Sequence, residues 1–303
     1  MNKIYTNEEK DNISKQIKNI TMSDVDLEMN KLITIADAAK DVSGRTRIGN
    51  NIVDFFTFPQ RLETKGKYDV NFFEFLNNIE EFKKKKFIQT MLTYYKDVKN
   101  KKGTKNEYIV LKEVYNICIS AINIMRPLTC MEIYTKYKSK RILNFCAGWG
   151  GSLVAAAALK IDAYYGIEIN TGLEIPYNNM INYLKTKTST DMNIYIGNAL
   201  DFDYSTIVYD TVFSSPPYYF IEKYPNNLKY ESKKQMNDNF YMPLFTKTYE
   251  GLKPGGVYVI NICKQVYDDV LKKLFGEATD IFPLKKSKRQ NNYQEMIYVW
   301  YKK

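Results

Sequence analysis

The chain has 303 residues, 45% of them hydrophobic, with 44 Lys and Arg against 34 Asp and Glu, a formal charge of +10 and no histidine. That length and apolar content suffice for one large or two modest cores, and the positive balance favours polyanionic partners, although the Lys-, Asn-, Ile- and Tyr-rich usage of an AT-rich genome would give the same charge. Without imidazole, Ser-His and Cys-His catalysis and the usual zinc hydrolase ligands are excluded.

The start, "MNKIYTNEEKDNISKQ", is too polar for a secretory signal. The run nearest to a membrane span, "LVAAAALKI", is too short to cross a bilayer. Cys118, Cys130, Cys146 and Cys263 lack the close spacing of a zinc knuckle. A soluble protein in a reducing, cytoplasmic setting is expected.

Up to about residue 140 the signals are helical. "SDVDLEMNKLITIADAAK" offers Ser23 or Asp24 as N-cap and an apolar stripe of Leu27, Leu32, Ile33 and Ile35. "SGRTRIGNNIVDFFTFPQR" sets Arg45, Arg47 and Asn50 before an apolar patch, and its placement against an active site is a conjecture. "VNFFEFLNNIEEFKKKKFIQTMLTYYKDVKN" puts Phe72, Phe75, Leu76, Ile79 and Phe82 at helical spacing. "KNEYIVLKEVYNICISAINIM" does the same with Val110, Val114, Ile117 and Ala121. These stripes read as core rather than as cofactor boxes.

From Arg141 short β-rich runs alternate with helical ones, the pattern of a parallel sheet covered by helices. Strands are expected at "RILNFC", "AYYGIEI", "NIYIG", "DTVFSS", "GVYVINIC", "TDIFPL" and "EMIYVWYK". Most have a helix between them, but the last two are joined only by "KKSKRQNNYQ", so the terminal strand is expected to be antiparallel.

Three strand ends carry residues suited to a nucleotide-like ligand. The first empties into "NFCAGWGGSLVAAAALK", where Gly148, Gly150 and Gly151 lie between strand and helix; glycine admits close backbone approach, and the helix offers free N–H groups at its start. A tight structural turn would look similar. Glu168, about twenty residues on and ending the second strand, can accept hydrogen bonds from ribose hydroxyls. After the third strand Asn198 can pair with an adenine edge and Asp201 is a second candidate, though each is a common turn residue.

The fourth strand ends in "SSPPYY", on the edge where open α/β sheets bind ligands. Ser215-Pro216-Pro217-Tyr218, together with the glycine turn, resembles the class I S-adenosylmethionine-dependent methyltransferases, specifically the amino-group DNA methyltransferases with an SPPY motif, over about residues 141–303. The resemblance implies a Rossmann-like α/β fold: a seven-stranded, mostly parallel sheet with an antiparallel last strand, preceded by an N-terminal helical domain. It also implies S-adenosylmethionine held by Asn144, Phe145, Ala147, Gly148, Trp149, Gly150, Glu168, Asn198 and Ala199. Thr129, in a helix "RPLTCMEIYTKYKSK" leading to the first strand, is expected at the cofactor's carboxylate. Many members carry an acidic residue where this chain has Asn144, so part of the charge near the cofactor is missing.

The chemistry suits those residues. An exocyclic base amine is a poor nucleophile, and two acceptors at fixed angles, the Ser215 hydroxyl and the Pro216 carbonyl, can make it more tetrahedral while Pro217 stiffens the loop and Tyr218 stacks on the base. A duplex base would have to be flipped out to enter. Serine in the motif accompanies cytosine N4 methylation in the family, which makes cytosine in DNA the preferred target. N6-adenine, RNA, or a catalytically silent nucleic-acid-binding scaffold are the alternatives. Residues 1–125 are read as the helical region, with possible target recognition, and 126–303 as the catalytic domain. Since the last expected strand ends the sequence, recognition is expected from that helical region and the "YFIEKYPNNLKYESKKQ" loop. Phosphate contacts are expected from "KNKKGTKN", "KYKSKR" and "KKSKRQNN", with Tyr94, Tyr95, Tyr219, Tyr224 and Tyr230 near these charges. Lys83 to Lys86 read as solvated surface around a helix.

Overall fold

After Arg141 the alternating pattern folds as a seven-stranded sheet in the computed structural model, which describes residues 4–38, 46–66, 68–221, 223–224, 226–284 and 295–303. The strands are β1 (Arg141–Asn144), β2 (Ala163–Glu168), β3 (Asp191–Ile196), β4 (Tyr209–Ser214), β5 (Leu252–Ile262), β6 (Asp280–Pro283) and β7 (Met296–Tyr301). Their order is β3-β2-β1-β4-β5-β7-β6, and only β7 runs against its neighbours, β5 and β6. This is the Rossmann-like sheet expected from the sequence, antiparallel last strand included. The order reverses between β1 and β4, so their carboxyl ends open a crevice.

The N-terminal helices are α1 (Asn7–Ile17), α2 (Met22–Asp37), α3 (Asn50–Leu62), α4 (Phe72–Asn77), α5 (Ile79–Lys83), α6 (Lys86–Tyr94) and α7 (Glu107–Cys118). Around the sheet lie α8 (Pro127–Lys136), α9 (Gly151–Ala158), α10 (Glu174–Lys185), α11 (Lys233–Met236), α12 (Met242–Glu250), α13 (Lys264–Val266) and α14 (Lys272–Phe275). One-turn π segments, Asn237–Tyr241 and Tyr267–Leu271, join α11 to α12 and α13 to α14.

Several local expectations need correction. The cap of α2 is Thr21, whose hydroxyl accepts the Asp24 N–H at 3.2 Å while the Asp24 carboxylate takes the Thr21 N–H at 2.8 Å. Asp24 is thus the third helical residue of a capping box. The buried stripe is Val25, Met29 and Leu32, and Leu27 is exposed. Lys83 to Lys86 do not encircle one helix: Lys84 ends α5 and Lys85 caps α6, so the run marks a break between two short helices. α7 stops at Cys118 rather than continuing to Met125. α1 and α3 carried no sequence assignment, and α3 keeps Pro59 in its interior. Arg45 and "KKSKRQNN" lie outside the described residues.

Alternate residues of each strand face opposite layers. On one side Ile142, Phe213 and Val259 join Leu153 and Val154 of α9, Tyr177 of α10, and also Val25, Met29, Ile52 and Val53 of α2 and α3. On the other, Leu143, Val212 and Tyr258 pack with Phe245 of α12. A third cluster, including Ile13, Phe58, Phe72, Phe75 and Tyr115, holds the remaining N-terminal helices together. Two of the N-terminal helices therefore share the main core of the sheet.

Where β4 ends, the two prolines carry the chain out of the sheet, since neither can donate to a ladder. Tyr219 then takes a left-handed conformation, with φ of +47°, unusual for a bulky residue. The Tyr241 hydroxyl spans this turn, donating to the Pro217 carbonyl at 2.5 Å and accepting the Tyr219 N–H at 3.0 Å. The Tyr219 hydroxyl donates to Asn237 Oδ1 at 3.0 Å. Both partners come from one π turn, a form that recurs where a helix is shaped for a site. Tyr241→Phe leaves a buried carbonyl and N–H without their partner, so chemical denaturation should show a loss of about 1–3 kcal/mol. Unchanged stability would mean that the clasp does not hold the turn.

Candidate active site

Between β1 and α9 the glycine turn is shaped by neutral groups. Asn144 is buried, and its Nδ2 donates to Ser152 Oγ at 2.8 Å and to the Tyr164 hydroxyl at 3.3 Å, while its Oδ1 accepts the Cys146 N–H at 3.2 Å. The strand end is thus fastened to the first turn of α9. Gly148 has φ of +63°, and a Cβ built on it would meet only the Cys146 carbonyl, at 4.0 Å. The turn is bare at that point, which permits close approach by a ligand. Gly151 differs: a Cβ there would lie 1.9 Å from the Met125 carbonyl oxygen, so its role is packing.

Glu168 closes β2. Its carboxylate accepts the Gly148 N–H at 2.7 Å and the Asn170 N–H at 2.9 Å. Burial pushes its pKa up to about 7, against the opposing pull of the Asn170, Gly148 and Ile169 N–H groups. Asn198 is engaged in its own turn, with Oδ1 accepting from the Leu200 N–H at 3.1 Å and Nδ2 donating to Asp201 at 3.0 Å.

At the end of β4, Ser215 Oγ donates to Asn261 Oδ1 at 3.0 Å, and the Tyr218 hydroxyl donates to the same oxygen at 2.9 Å. Asn261 is 1% exposed, and its Nδ2 donates to the Met296 carbonyl at 2.9 Å, which fixes the amide's orientation. With its proton so engaged, Ser215 Oγ presents lone pairs. Among the described residues nothing donates to the Pro216 carbonyl. The turn therefore offers two acceptors and a tethered aromatic ring.

A cavity of about 2290 Å3 joins these strand ends. Every expected site residue except Gly150 and the second candidate Asp201 lines it. Gly150 instead caps α9, where a Cβ would meet Met180 at 2.8 Å. Asp201 is exposed and does not line the cavity, nor do Tyr94 and Tyr95, whereas Tyr219, Tyr224 and Tyr230 do. The opposite wall comes from the N-terminal region and includes the conjectured Arg47 and Asn50. That wall is fastened by the Thr57 hydroxyl on the Trp149 carbonyl at 3.3 Å and by a two-stranded bridge of Lys65 with Lys223. Asn261 escaped the sequence reading, although a single amide inside the apolar run "VYVINIC" was a signal, since a buried polar group must find partners.

No family model matches the chain, and no curated protein matches it. Among solved structures it is similar to TrmN from Thermus thermophilus, at 14% identity and a TM-score of 0.41, over 58% of this chain and 48% of that one, so it spans about half of TrmN. An rRNA methylase from Streptococcus thermophilus aligns at 12% identity and a TM-score of 0.42, over 60% of this chain and 100% of the other. An S-adenosylmethionine-dependent O-methyltransferase from Thermotoga maritima aligns at 15% identity and a TM-score of 0.42, over 62% and 70%. Likenesses this distant carry no argument about substrate.

Proposed function

We propose that the chain transfers a methyl group from S-adenosylmethionine to the exocyclic amine of a nucleobase, cytosine N4 in DNA first among the candidates. The carrying observation is Asn261, whose single oxygen orders both Ser215 and Tyr218 on a cavity shared with Gly148 and Glu168. The residues fit the cofactor: Gly148 leaves backbone bare, Glu168 is a buried carboxylate able to accept ribose hydroxyls, and Thr129 lies buried at the start of α8 on the same cavity. Ligand pockets of about 300–1,000 Å3 are usual, so this cavity has room for the cofactor and a second molecule. When bound, S-adenosylmethionine supplies an electrophilic methyl group on a sulfonium.

The chain's part is to bind and orient. Ser215 Oγ and the Pro216 carbonyl accept the two N–H bonds of the amine and aim its lone pair, and Tyr218 stacks on the ring while Asn261 holds its hydroxyl. The N–CH3 bond would form as the S–CH3 bond breaks, leaving S-adenosylhomocysteine, and the methylated amine, acidic once cationic, would give up its extra proton to solvent along the N–H bonds that Ser215 Oγ and the Pro216 carbonyl accept. In this reading residues 126–303 perform catalysis, and the helical region 1–125 with the loop after Tyr218 holds the target. Among the described residues no helix is long and apolar enough to cross a membrane.

Incubation with methyl-labelled cofactor and DNA or RNA, followed by nucleoside analysis, should give N4-methylcytosine from DNA. N6-methyladenine or labelled RNA would move the target within the class, and no transfer despite binding of S-adenosylhomocysteine would favour a scaffold. Ser215→Ala and Asn261→Ala should each lower kcat about a hundredfold, the effect of a misplaced reacting group, with S-adenosylhomocysteine affinity unchanged by calorimetry. Equal losses in both quantities would overturn the division of roles.

Glu168 sets a pH dependence of definite sign. Its folded pKa of about 7 lies above the ordinary 4.5, so its contribution to stability is fullest below the lower value and is lost as pH rises through the upper. Ribose hydroxyls donate to the ionised form. Affinity for S-adenosylhomocysteine should therefore fall by about tenfold per pH unit below about 7 and level off above it. Glu168→Gln should flatten the profile; a slope that survives the substitution would assign the dependence elsewhere.

A further inference from the structure

The N-terminal wall carries cations that the proposed reaction does not use. Lys18, at the end of α1, and Arg61, in the last turn of α3, both pair with Asp54, which is 3% exposed. Lys112 of α7 lies near them. Its Nζ stands 4.5 Å from the centre of the Tyr115 ring and 5.3 Å from that of Phe72, and among the described residues no carboxylate forms an ion pair with it. All four charged residues line the cavity that reaches Ser215.

Three basic side chains thus crowd one carboxylate in a partly desolvated place. The aromatic faces compensate Lys112 only in part. Burial, followed by repulsion from Arg61 and Lys18, pushes its ammonium down to about 7 despite the attraction of Asp54. A bare ion-pair network would need Lys18, Asp54 and Arg61 alone; Lys112 adds charge without adding a partner. Arg61 spends only part of its planar fork on Asp54, and a guanidinium beside an ammonium matches a phosphate by both geometry and charge.

We propose that Lys112, Arg61 and Lys18 form a phosphate pocket, which holds a phosphate ester of the molecule whose amine enters the Ser215 turn. The identity of that molecule rests on the methyl-transfer reading above, but the pocket itself does not. A nucleic-acid backbone and a free nucleotide present the same chemistry.

The test compares the full-length protein with Lys112→Met, which keeps the side chain's length and removes a repulsive charge, so folding is expected to survive. Inorganic phosphate, against chloride at matched ionic strength, should raise the thermal midpoint of the wild type and not of the variant. With a cytosine-containing single-stranded oligonucleotide, the slope of log affinity against log salt should fall by about 1 in the variant, with S-adenosylhomocysteine affinity unchanged. Replacing single linkages by methylphosphonate should reveal one position that weakens wild-type binding and leaves the variant indifferent. If instead the variant discriminates dCMP from deoxycytidine less than the wild type does, while no linkage matters, the ester is that of a free nucleotide. Phosphate stabilisation lost in the variant with no nucleic acid methylated supports the pocket and overturns the functional reading. Equal phosphate response in both proteins overturns the pocket and leaves the cluster a structural network.

Discussion

The site depends on one buried amide. Asn261 sits near the carboxyl end of β5, between the buried Ile260 and Ile262, and with its NH2 group committed to the Met296 carbonyl its oxygen can only accept. Two donors converge on it, Ser215 Oγ and the Tyr218 hydroxyl. This arrangement sets the polarity of Ser215: a hydroxyl that donates inward is left as an acceptor outward. It also couples the motif to the antiparallel strand β7, because Met296 begins that strand. The position of β7 therefore bears on the turn that follows β4.

The same turn is secured from a second direction. Tyr241 bridges Pro217 and Tyr219 across the left-handed residue, and Asn237, four residues earlier on the same π turn, takes the Tyr219 hydroxyl. Prolines limit the conformations open to the loop, but rigidity in one local geometry comes from these tertiary partners. The N-terminal helices complete the enclosure. Their pairing with the sheet domain is polar as well as apolar, with Asp26 accepting from the Tyr183 hydroxyl at 3.0 Å and pairing with Lys187 at 2.8 Å.

Legibility in the sequence followed the range of the interactions involved. The strands announced themselves as short apolar runs, the central ones buried on both faces and the edge strands β3 and β6 half-exposed, and all seven appear close to where the sequence placed them. The strand-end residues were readable because sheet topology alone brings them to one crevice. Features set by tertiary contacts were not. α3 contains Pro59, a local argument against helix, yet Ile52 and Val53 gain enough burial in the shared core to override it. Gly150 belonged to the glycine turn by spacing, but its surroundings, Met180 and Tyr177 from α10, make it a packing residue. Asn198 showed both readings in the sequence, and its side chain is held in the local turn.

Asn144 bears on the electrostatics of the whole site. At the end of β1 this chain builds a neutral network of Asn144, Ser152 and Tyr164, with the serine and tyrosine hydroxyls 2.6 Å apart. A second carboxylate at that point would repel Glu168 and raise its pKa further. With an amide there instead, the pKa of Glu168 stays at about 7, set by the cost of burial against the three backbone N–H groups that hold it. The positive charge of a sulfonium ligand would tip that balance toward the carboxylate.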